Sequence, residues 1–433
     1  MSSGLSSRRA AYDVLKQIFI QKQPFDQILS NSQTFSGLEV NDRALTRMMI
    51  STVLRQKGTL DILIGKTRDS DISQETIKII LYIGIVQLLF MKIPSHAAIN
   101  ETVELAAKEN HSRQKGLVNA ILRKIDSQGK DWLSHIDPVQ ANIPDWLLKP
   151  WVEDYGLQKA QNIASASLNE APLDLTVKDQ SRLKKYAEAL KADIIMNSGL
   201  RLPKTSDITA LDGYEEGDWW VQDTASSLPV ALLGNDLTGK TVIDLCAAPG
   251  GKTAQLAARG AHVIAVDRST KRLKKLEENL KRLHLSDKVE IVSADGALWQ
   301  PQEPADIVLL DAPCSATGTL RRHPDIMHLK SRSDIDKLSG LQERLLDNAK
   351  TMIKGDGLLI YCTCSLQKKE GENHVQNFLN KNSDFQTVPV KKEKLVGLEK
   401  AVTDKNFIRV TPDLLESKGG IDGFFIASLQ KSS

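Results

Sequence analysis

Two cysteines lie about fifty residues apart in short segments, Asp311-Ala312-Pro313-Cys314 and Thr363-Cys364-Ser365. Upstream runs Asp244-Leu245-Cys246-Ala247-Ala248-Pro249-Gly250-Gly251-Lys252-Thr253, small residues broken by a proline and two glycines. A thiolate is a strong nucleophile toward an electron-poor carbon. Methylation of a cytosine at C5 needs such a group, because that carbon is inert until something adds at C6. Addition turns the ring into an enamine that can attack a sulfonium methyl. The C5 proton must then leave before the thiolate is expelled. A glycine-rich turn for a methyl donor, with two cysteines at strand ends, supplies the parts for this chemistry. Most cysteines only fill apolar space, and that reading suffices for the thiols of Cys246 and Cys362. Zinc fits the Cys362/Cys364 pair poorly, since no companion ligands stand at metal-site spacing. No metal is expected.

The elements around these residues read as alternating strands and helices. Thr241–Leu245 forms a short buried strand, and Pro249-Gly250-Gly251 a tight turn into a helix starting near Lys252. Glycine lets a backbone approach a ligand, and a helix N-terminus favours a carboxylate. Gly251-Lys252-Thr253 has the tail of a phosphate-binding loop, but position 246, where that loop needs glycine, is Cys. A G-x-G-x-x-G dinucleotide turn is absent too. Three carboxylates then follow strands: Asp267 after His262–Val266, suited to a ribose diol, Asp295 after Val289–Val292, suited to an adenine amino group, and Asp311 after Ile307–Leu310. Each alone could be a helix cap. Together with the glycine turn they indicate a doubly wound sheet with a ligand at its carboxyl edge. The basic helix Ser269–Leu283, with Lys271, Arg272, Lys274, Lys275, Lys281 and Arg282, reads as a solvated face or an RNA-backbone contact.

The whole chain has 433 residues, 41% hydrophobic and 26% charged, which implies two or three soluble domains. A net charge of only +3 leaves nucleic-acid binding to local patches. Nothing resembles a secretory signal, and Ile79–Met91 is too short to span a bilayer and reads as a buried helix. All four cysteines fall in the second half, which suits reduced thiols in a cytoplasm better than a disulfide framework. Residues 8–125 show helical periodicity. Asn41-Asp42 can cap a helix with Leu45, Met48, Met49, Val53 and Leu60 inward and Arg43, Arg47 and Arg55 away from that stripe. A second helix follows Pro94-Ser95, and a third, with Leu117, Ile121 and Leu122 inward, is expected to end at Arg123-Lys124. Trp146 and Trp151 read as packing anchors. Leu173–Lys178 alternates as a strand, Leu183–Leu190 is helical, and a small α/β piece closes near Asp223.

Several segments carry a family resemblance. Asp311-Ala312-Pro313-Cys314-Ser315, Gly318, Arg321-Arg322-His323-Pro324-Asp325, Gln342, Thr363-Cys364-Ser365, Glu370 with Asn373, and Asp422-Gly423-Phe424-Phe425 resemble the cytosine-5 RNA methyltransferase family over about residues 220–430. Asn41–Arg55 and Lys115–Arg123 resemble the helical RNA-binding domain of NusB, which stands in front of the branch acting on small-subunit ribosomal RNA. The resemblance implies an all-α NusB-like domain at 1–140, a linker and small α/β RNA-contacting subdomain at 141–232, and a Rossmann-like methyltransferase domain with a mostly parallel seven-stranded sheet at 233–433. S-adenosylmethionine would be the donor, held by Cys246, Ala247, Ala248, Pro249, Gly250, Gly251, Lys252, Asp267, Asp295 and Asp311. Thr176-Val177-Lys178 departs from the family's Arg-Val-Asn and leaves Lys178 as a candidate substrate contact.

The residues alone leave open which thiol attacks. DNA cytosine methyltransferases use the cysteine after proline, which nominates Cys314; the RNA family uses the cysteine after threonine, which nominates Cys364. On the RNA pattern Cys314 assists product release and Asp311 hydrogen-bonds or protonates the ring near N3. The implied partner is 16S ribosomal RNA, free or in an early small-subunit particle, with no membrane and no obligate protein partner. The alternatives are the same chemistry on transfer RNA or another ribosomal site, and a non-catalytic RNA-binding assembly factor.

Overall fold

The computed structural model describes residues 3–196, 198–203 and 207–433. Its contacts divide the chain into two units, Met1–Lys149 with His323–Lys330, and Pro150–Arg322 with Ser331–Ser433.

The first unit is helical. Its main helices are α1 (Ser3–Phe19), α2 (Val40–Gly65), α3 (Glu75–Leu89), α4 (Ser95–Lys108) and α5 (Lys115–Ser134). The apolar run expected as a buried helix is α3, whose residues Ile79–Gln87 are all buried. Gln87 is tolerated there because its Nε2 donates to the Ile83 carbonyl at 2.7 Å. In α2, Met49, Val53 and Leu60 face inward as their spacing predicts, whereas Met48 is exposed. Arg55, expected outside, is buried. The helix is covered on more than one side, so Leu54, Arg55 and Thr59 are enclosed together with the stripe. Helix α5 passes Arg123-Lys124 and runs ten residues further than expected. Ile125 and Gly129 keep it against the core, and no glycine or proline stops it earlier.

Residues 323–330 come from far along the chain and pack within this helical unit. The Phe25 N–H donates to Asp325 Oδ2 at 3.0 Å, His328 Nε2 lies 2.8 Å from the Leu54 carbonyl oxygen, and Ile326 and Met327 are buried.

The second unit holds two sheets. The smaller is antiparallel, built from β1 (Leu173–Val177), β2 (Asp193–Ile195), β3 (Gly199–Leu202) and β4 (Trp219–Val221) in the order β2-β3-β1-β4. Leu175, Leu200, Tyr186 and Trp219 form its core. A buried bidentate pair between Arg201 and Asp174, at 2.7 and 2.8 Å, joins β3 to β1. Trp151 is fully buried, as a packing anchor should be.

The larger sheet contains β5 (Thr241–Leu245), β6 (His262–Asp267), β7 (Val289–Ser293), β8 (Ala305–Asp311), β9 (Ile353–Thr363), β10 (Phe385–Thr387) and β12 (Phe424–Lys431), in the order β10-β12-β9-β8-β5-β6-β7. A short β11 (Ile408–Val410) pairs with β12 beside this path. The five strands β9, β8, β5, β6 and β7 are parallel, and β12 runs antiparallel to β9. Helices α6 (Gly251–Ala258), α7 (Thr270–Arg282), α8 (Arg332–Ala349) and α9 (Glu372–Lys381) follow β5, β6, β8 and β9. Val242, Ile243, Val308 and Leu309 are fully buried, the near-continuous apolar pattern of strands covered on both faces. This is the doubly wound, mostly parallel architecture that the alternation of strands and helices predicts.

Candidate active site

Strands β5 and β8 are neighbours, yet the chain leaves β5 toward β6 on one side and β8 toward β9 on the other. The carboxyl ends of the two strands thus open a crevice between them. The turn after β5 fills one wall. It begins with Cys246 at φ +61°, continues through a cis Ala248–Pro249 peptide and reaches Gly250 at φ +103°, which starts α6. A Cβ on Gly250 would lie 2.8 Å from Leu276 Cγ of α7, so this glycine lets the turn seat on that helix.

Acidic side chains brace the turn from below. Asp267 accepts from the Ala248 N–H at 3.2 Å and the Ser269 N–H at 2.9 Å, and Arg272 bonds both Asp267 and the Ala248 carbonyl. Asp295 is exposed and accepts from the Ala297 N–H at 3.0 Å. Asp244 is fully buried. Thr253 Oγ1 donates to its Oδ2 at 2.6 Å, while its Oδ1 has no hydrogen-bond partner among the described residues. Burial pushes the Asp244 carboxyl up to about 7. Burial also raises the Cys246 thiol, and the charges of Asp267, Asp311 and Asp244 raise it further. Asp244, Asp267 and Asp311 all lie near this turn, with Asp267 paired to Arg272 and Asp311 to Lys252.

Asp311 links this wall to the cysteines. Its Oδ2 accepts from Lys252 Nζ at 2.8 Å, and its Oδ1 lies 3.6 Å from Cys362 Sγ. Burial alone would depress the Lys252 ammonium, but Asp311 and its neighbours hold it above its ordinary value. Lys252 Nζ also stands 5.2 Å over the Phe424 ring.

The two cysteine loops leave adjacent parallel strands. Asp311 pairs with Cys362 in the β8–β9 register, and the Ala312 N–H donates to the Cys362 carbonyl at 3.0 Å. Beyond the sheet the loops stay together, because the Gly318 N–H donates to the Cys364 carbonyl at 2.9 Å. Cys314 Sγ and Cys364 Sγ are 3.4 Å apart. That hydrogen bond, together with burial and the charge of Glu370, raises the Cys314 thiol well above its ordinary value. The loop after Cys364 is held from several sides. Arg409 donates to the Ser365 carbonyl at 2.5 Å while paired with Glu372, Tyr155 donates to the Leu366 carbonyl at 2.5 Å, and the Leu366 N–H donates to Thr317 Oγ1 at 3.0 Å. Arg322 bonds both Asp223, at 2.6 Å, and Asp422, at 2.9 Å.

Residues 231–430 match the family model described as 16S rRNA methyltransferase RsmB/F, and residues 5–127 match that of the NusB family. A Vibrio cholerae protein named ribosomal RNA small subunit methyltransferase B is 34% identical, over 99% of this chain and 98% of its own. The chain belongs to the 16S rRNA methyltransferase RsmB/F family. The Cronobacter sakazakii protein of the same name is 32% identical over the full length of both. The crystal structure of PH0851 superposes with a TM-score of 0.77 at 22% identity, covering 99% of this chain and 98% of that one, and shares the fold. NSun6 from Pyrococcus horikoshii does so with a TM-score of 0.56 at 20% identity, over 67% of this chain and 98% of that one.

In this RsmB/F family member the crevice gathers Cys314, Cys364, Asp311, Lys252 and the turn 246–251 around the ends of β5, β8 and β9. Asp267 lies buried beneath the turn and Asp295 stands exposed beyond β7. Lys178 donates to the Leu283 carbonyl at 3.0 Å and so is engaged in the protein. Sequence reasoning assigned no role to Glu370, Gln342, Arg409, Tyr155 or Thr317. Single polar residues carry no periodic signal, and only the presence of Gln342 and Glu370 among the family's motif residues pointed toward the site. Among the described residues, no group of His, Cys, Asp and Glu is arranged to hold a metal ion, and no helix is long and apolar enough to cross a membrane.

Proposed function

We propose that this methyltransferase transfers a methyl group from S-adenosylmethionine to C5 of a cytosine in small-subunit ribosomal RNA, with Cys364 as the nucleophile. The observation that carries the reading is the 3.4 Å approach of Cys314 and Cys364 beside the Lys252–Asp311 pair. Two thiols so close can serve one base.

The donor turn fits the methyl donor. S-adenosylmethionine carries a sulfonium and an ammonium, and the carboxylates of Asp244, Asp267 and Asp311 lie around the turn. Residues 246–251 would cradle it, with Asp267 bracing that turn, and the exposed Asp295 would meet the adenine end. When bound, the donor supplies an electrophilic methyl carbon. The protein supplies the rest. Cys364 Sγ adds to C6 of a base turned out of its stack, and the electron pair of the 5,6 bond becomes available at C5. Asp311, carrying Lys252 on its other oxygen, hydrogen-bonds near N3 and draws charge from the ring. After C5 has gained the methyl carbon, the C5 proton leaves to a base. The Cys364–C6 bond then breaks and the 5,6 double bond returns. Cys314 suits the release step, since its raised thiol keeps a proton and can donate toward Cys364 Sγ. The NusB-like unit would add RNA affinity through phosphate contacts.

Variants with Cys314→Ala and Cys364→Ala test this on denaturing gels with 16S rRNA and S-adenosylmethionine. Cys314→Ala should give a slow protein–RNA band, because attack and methylation proceed without release. Cys364→Ala and the double variant should give none. The opposite pattern would exchange the two roles, and full turnover by both single variants would remove the thiols from the mechanism. Bisulfite sequencing of total RNA from a deletion strain would identify the cytosine, or show a transfer RNA to be the substrate.

A further inference from the structure

Glu370 is fully buried, six residues after Cys364 in the turn that leads to α9. Its Oε1 accepts from the Ser315 N–H at 2.9 Å and from Gln342 Nε2 at 3.0 Å. Its Oε2 accepts from Ser315 Oγ and, at 2.6 Å, from Ser365 Oγ. Ser315 follows Cys314 and Ser365 follows Cys364. One carboxylate therefore grips the residue next to each thiol. Gln342 extends the grip to the other side of Cys314, since its Nε2 also donates to the Pro313 carbonyl at 2.8 Å. Glu370 is itself anchored, because Tyr361 of β9 donates its hydroxyl to the Glu370 carbonyl at 2.9 Å. Gln342 is presented by α8, a helix opened by a Ser331/Asp334 capping box.

Backbone bonds from Ala312 to Cys362 and from Gly318 to Cys364 bracket the cysteines, and between them the loops are joined by these side chains. Hydrogen bonds to a buried charged acceptor are stronger than neutral ones, and removing the acceptor strands every donor it served. We propose that Glu370 is a positioning residue that clasps the two cysteine loops together and thereby sets the separation of the Cys314 and Cys364 sulfurs. Its bonds go to the neighbours of the cysteines, so it acts on the reaction through them. The proposal deepens the reading in which both thiols serve one base, and rests on it for its catalytic consequence only.

The thiol separation can be read without RNA or donor. Diamide accepts two electrons and two protons from a thiol pair, joining the sulfurs as a disulfide and itself becoming the hydrazine. Sulfurs 3.4 Å apart should join readily in the native protein, detected as a 314–364 linked peptide. Glu370→Gln keeps the size of the side chain but replaces one acceptor oxygen with a donor. It should slow this cross-link about tenfold and cut methyl transfer about 100-fold, since a displacement near 1 Å costs that much in a reacting geometry. Donor affinity by calorimetry should stay within about twofold, because the turn 246–251 is not part of the clasp. RNA held through Cys364 should accumulate, as release needs Cys314 in reach. A folded Glu370→Gln variant that cross-links at the native rate overturns the proposal, as does a native protein whose thiols do not join. If Glu370→Gln fails to fold, Ser315→Ala combined with Ser365→Ala removes the clasped hydroxyls and leaves the carboxylate. Slower cross-linking then supports the clasp and an unchanged rate overturns it. A native protein that cross-links but methylates no RNA would sink the functional reading and leave the clasp standing.

Discussion

At Gly250 the backbone takes φ +103°, and a side chain would drive into Leu276. The requirement is therefore conformational and steric within the protein, rather than only a matter of leaving room for a ligand. A residue with a Cβ in left-handed backbone costs about 1–2 kcal/mol, and overpacking adds about 1–3 kcal/mol. Gly250→Val should tilt the turn away from α7 and carry residues 246–251 with it. S-adenosylmethionine binding by calorimetric titration should weaken about tenfold or more. Unchanged affinity in a folded variant would remove this turn from the donor site. Cys246 and Cys362 belong at this scale too. The sequence reading of both thiols as packing holds: Cys362 is fully buried, and Cys246, half-buried, packs against the core of the larger sheet.

At the scale of elements, the site depends on two loops leaving β8 and β9 in step. The parallel register brings Asp311 opposite Cys362, and Gly318 continues the alliance past the strand ends. A Cβ on Gly318 would collide with the Gly423 carbonyl oxygen and lie 2.8 Å from that of Cys364. Both are backbone atoms in ordered segments, so neither can yield cheaply. Gly318→Ala should therefore cost about 1–3 kcal/mol of stability and push the loops apart. Thermal unfolding should show the loss, and single-turnover methylation should fall further than donor binding. A variant that melts and turns over like the native enzyme would mean that the loops are not held in register here.

At the scale of the whole molecule, the chain returns to its helical unit long after leaving it. His328 sits there in a T-shaped contact with Phe19, 5.3 Å between centroids, and Nε2 donating to the Leu54 carbonyl. Burial pushes the imidazole down to about 4 from the usual 6.5. Above 6.5 the ring is neutral folded or unfolded, so its contribution is fully present. Below 6.5 the unfolded chain takes up a proton that the folded ring resists. Stability is then lost progressively toward pH 4, by about 2 kcal/mol at pH 5. Hydrogen-exchange protection in α2, corrected for intrinsic rates, should fall between pH 7.5 and 5. His328→Gln keeps a donor but cannot titrate, so it should flatten that dependence. Parallel curves for the two proteins would show that His328 does not govern it.

The sequence by itself determined the local elements and their order. Thr241–Leu245 and His262–Asp267 are strands as read, because apolar runs bounded by glycine and charge are resolved by short-range physics. The glycine turn, the buried α3 and the cysteine-bearing segments were legible for the same reason. Helix α5 outran its expected end because Arg123-Lys124 is only a weak stop, and packing of Ile125 and Gly129 outweighs it. Arg55 went inside because burial depends on how many neighbours surround a helix, which no single period encodes. Only the tertiary structure decided that two thiols fifty residues apart stand 3.4 Å from each other, that Lys252 pairs with Asp311, and that Glu370 joins the two loops. Those distances follow from sheet register and from buried hydrogen bonds between distant segments, and neither is written in any local stretch of the chain.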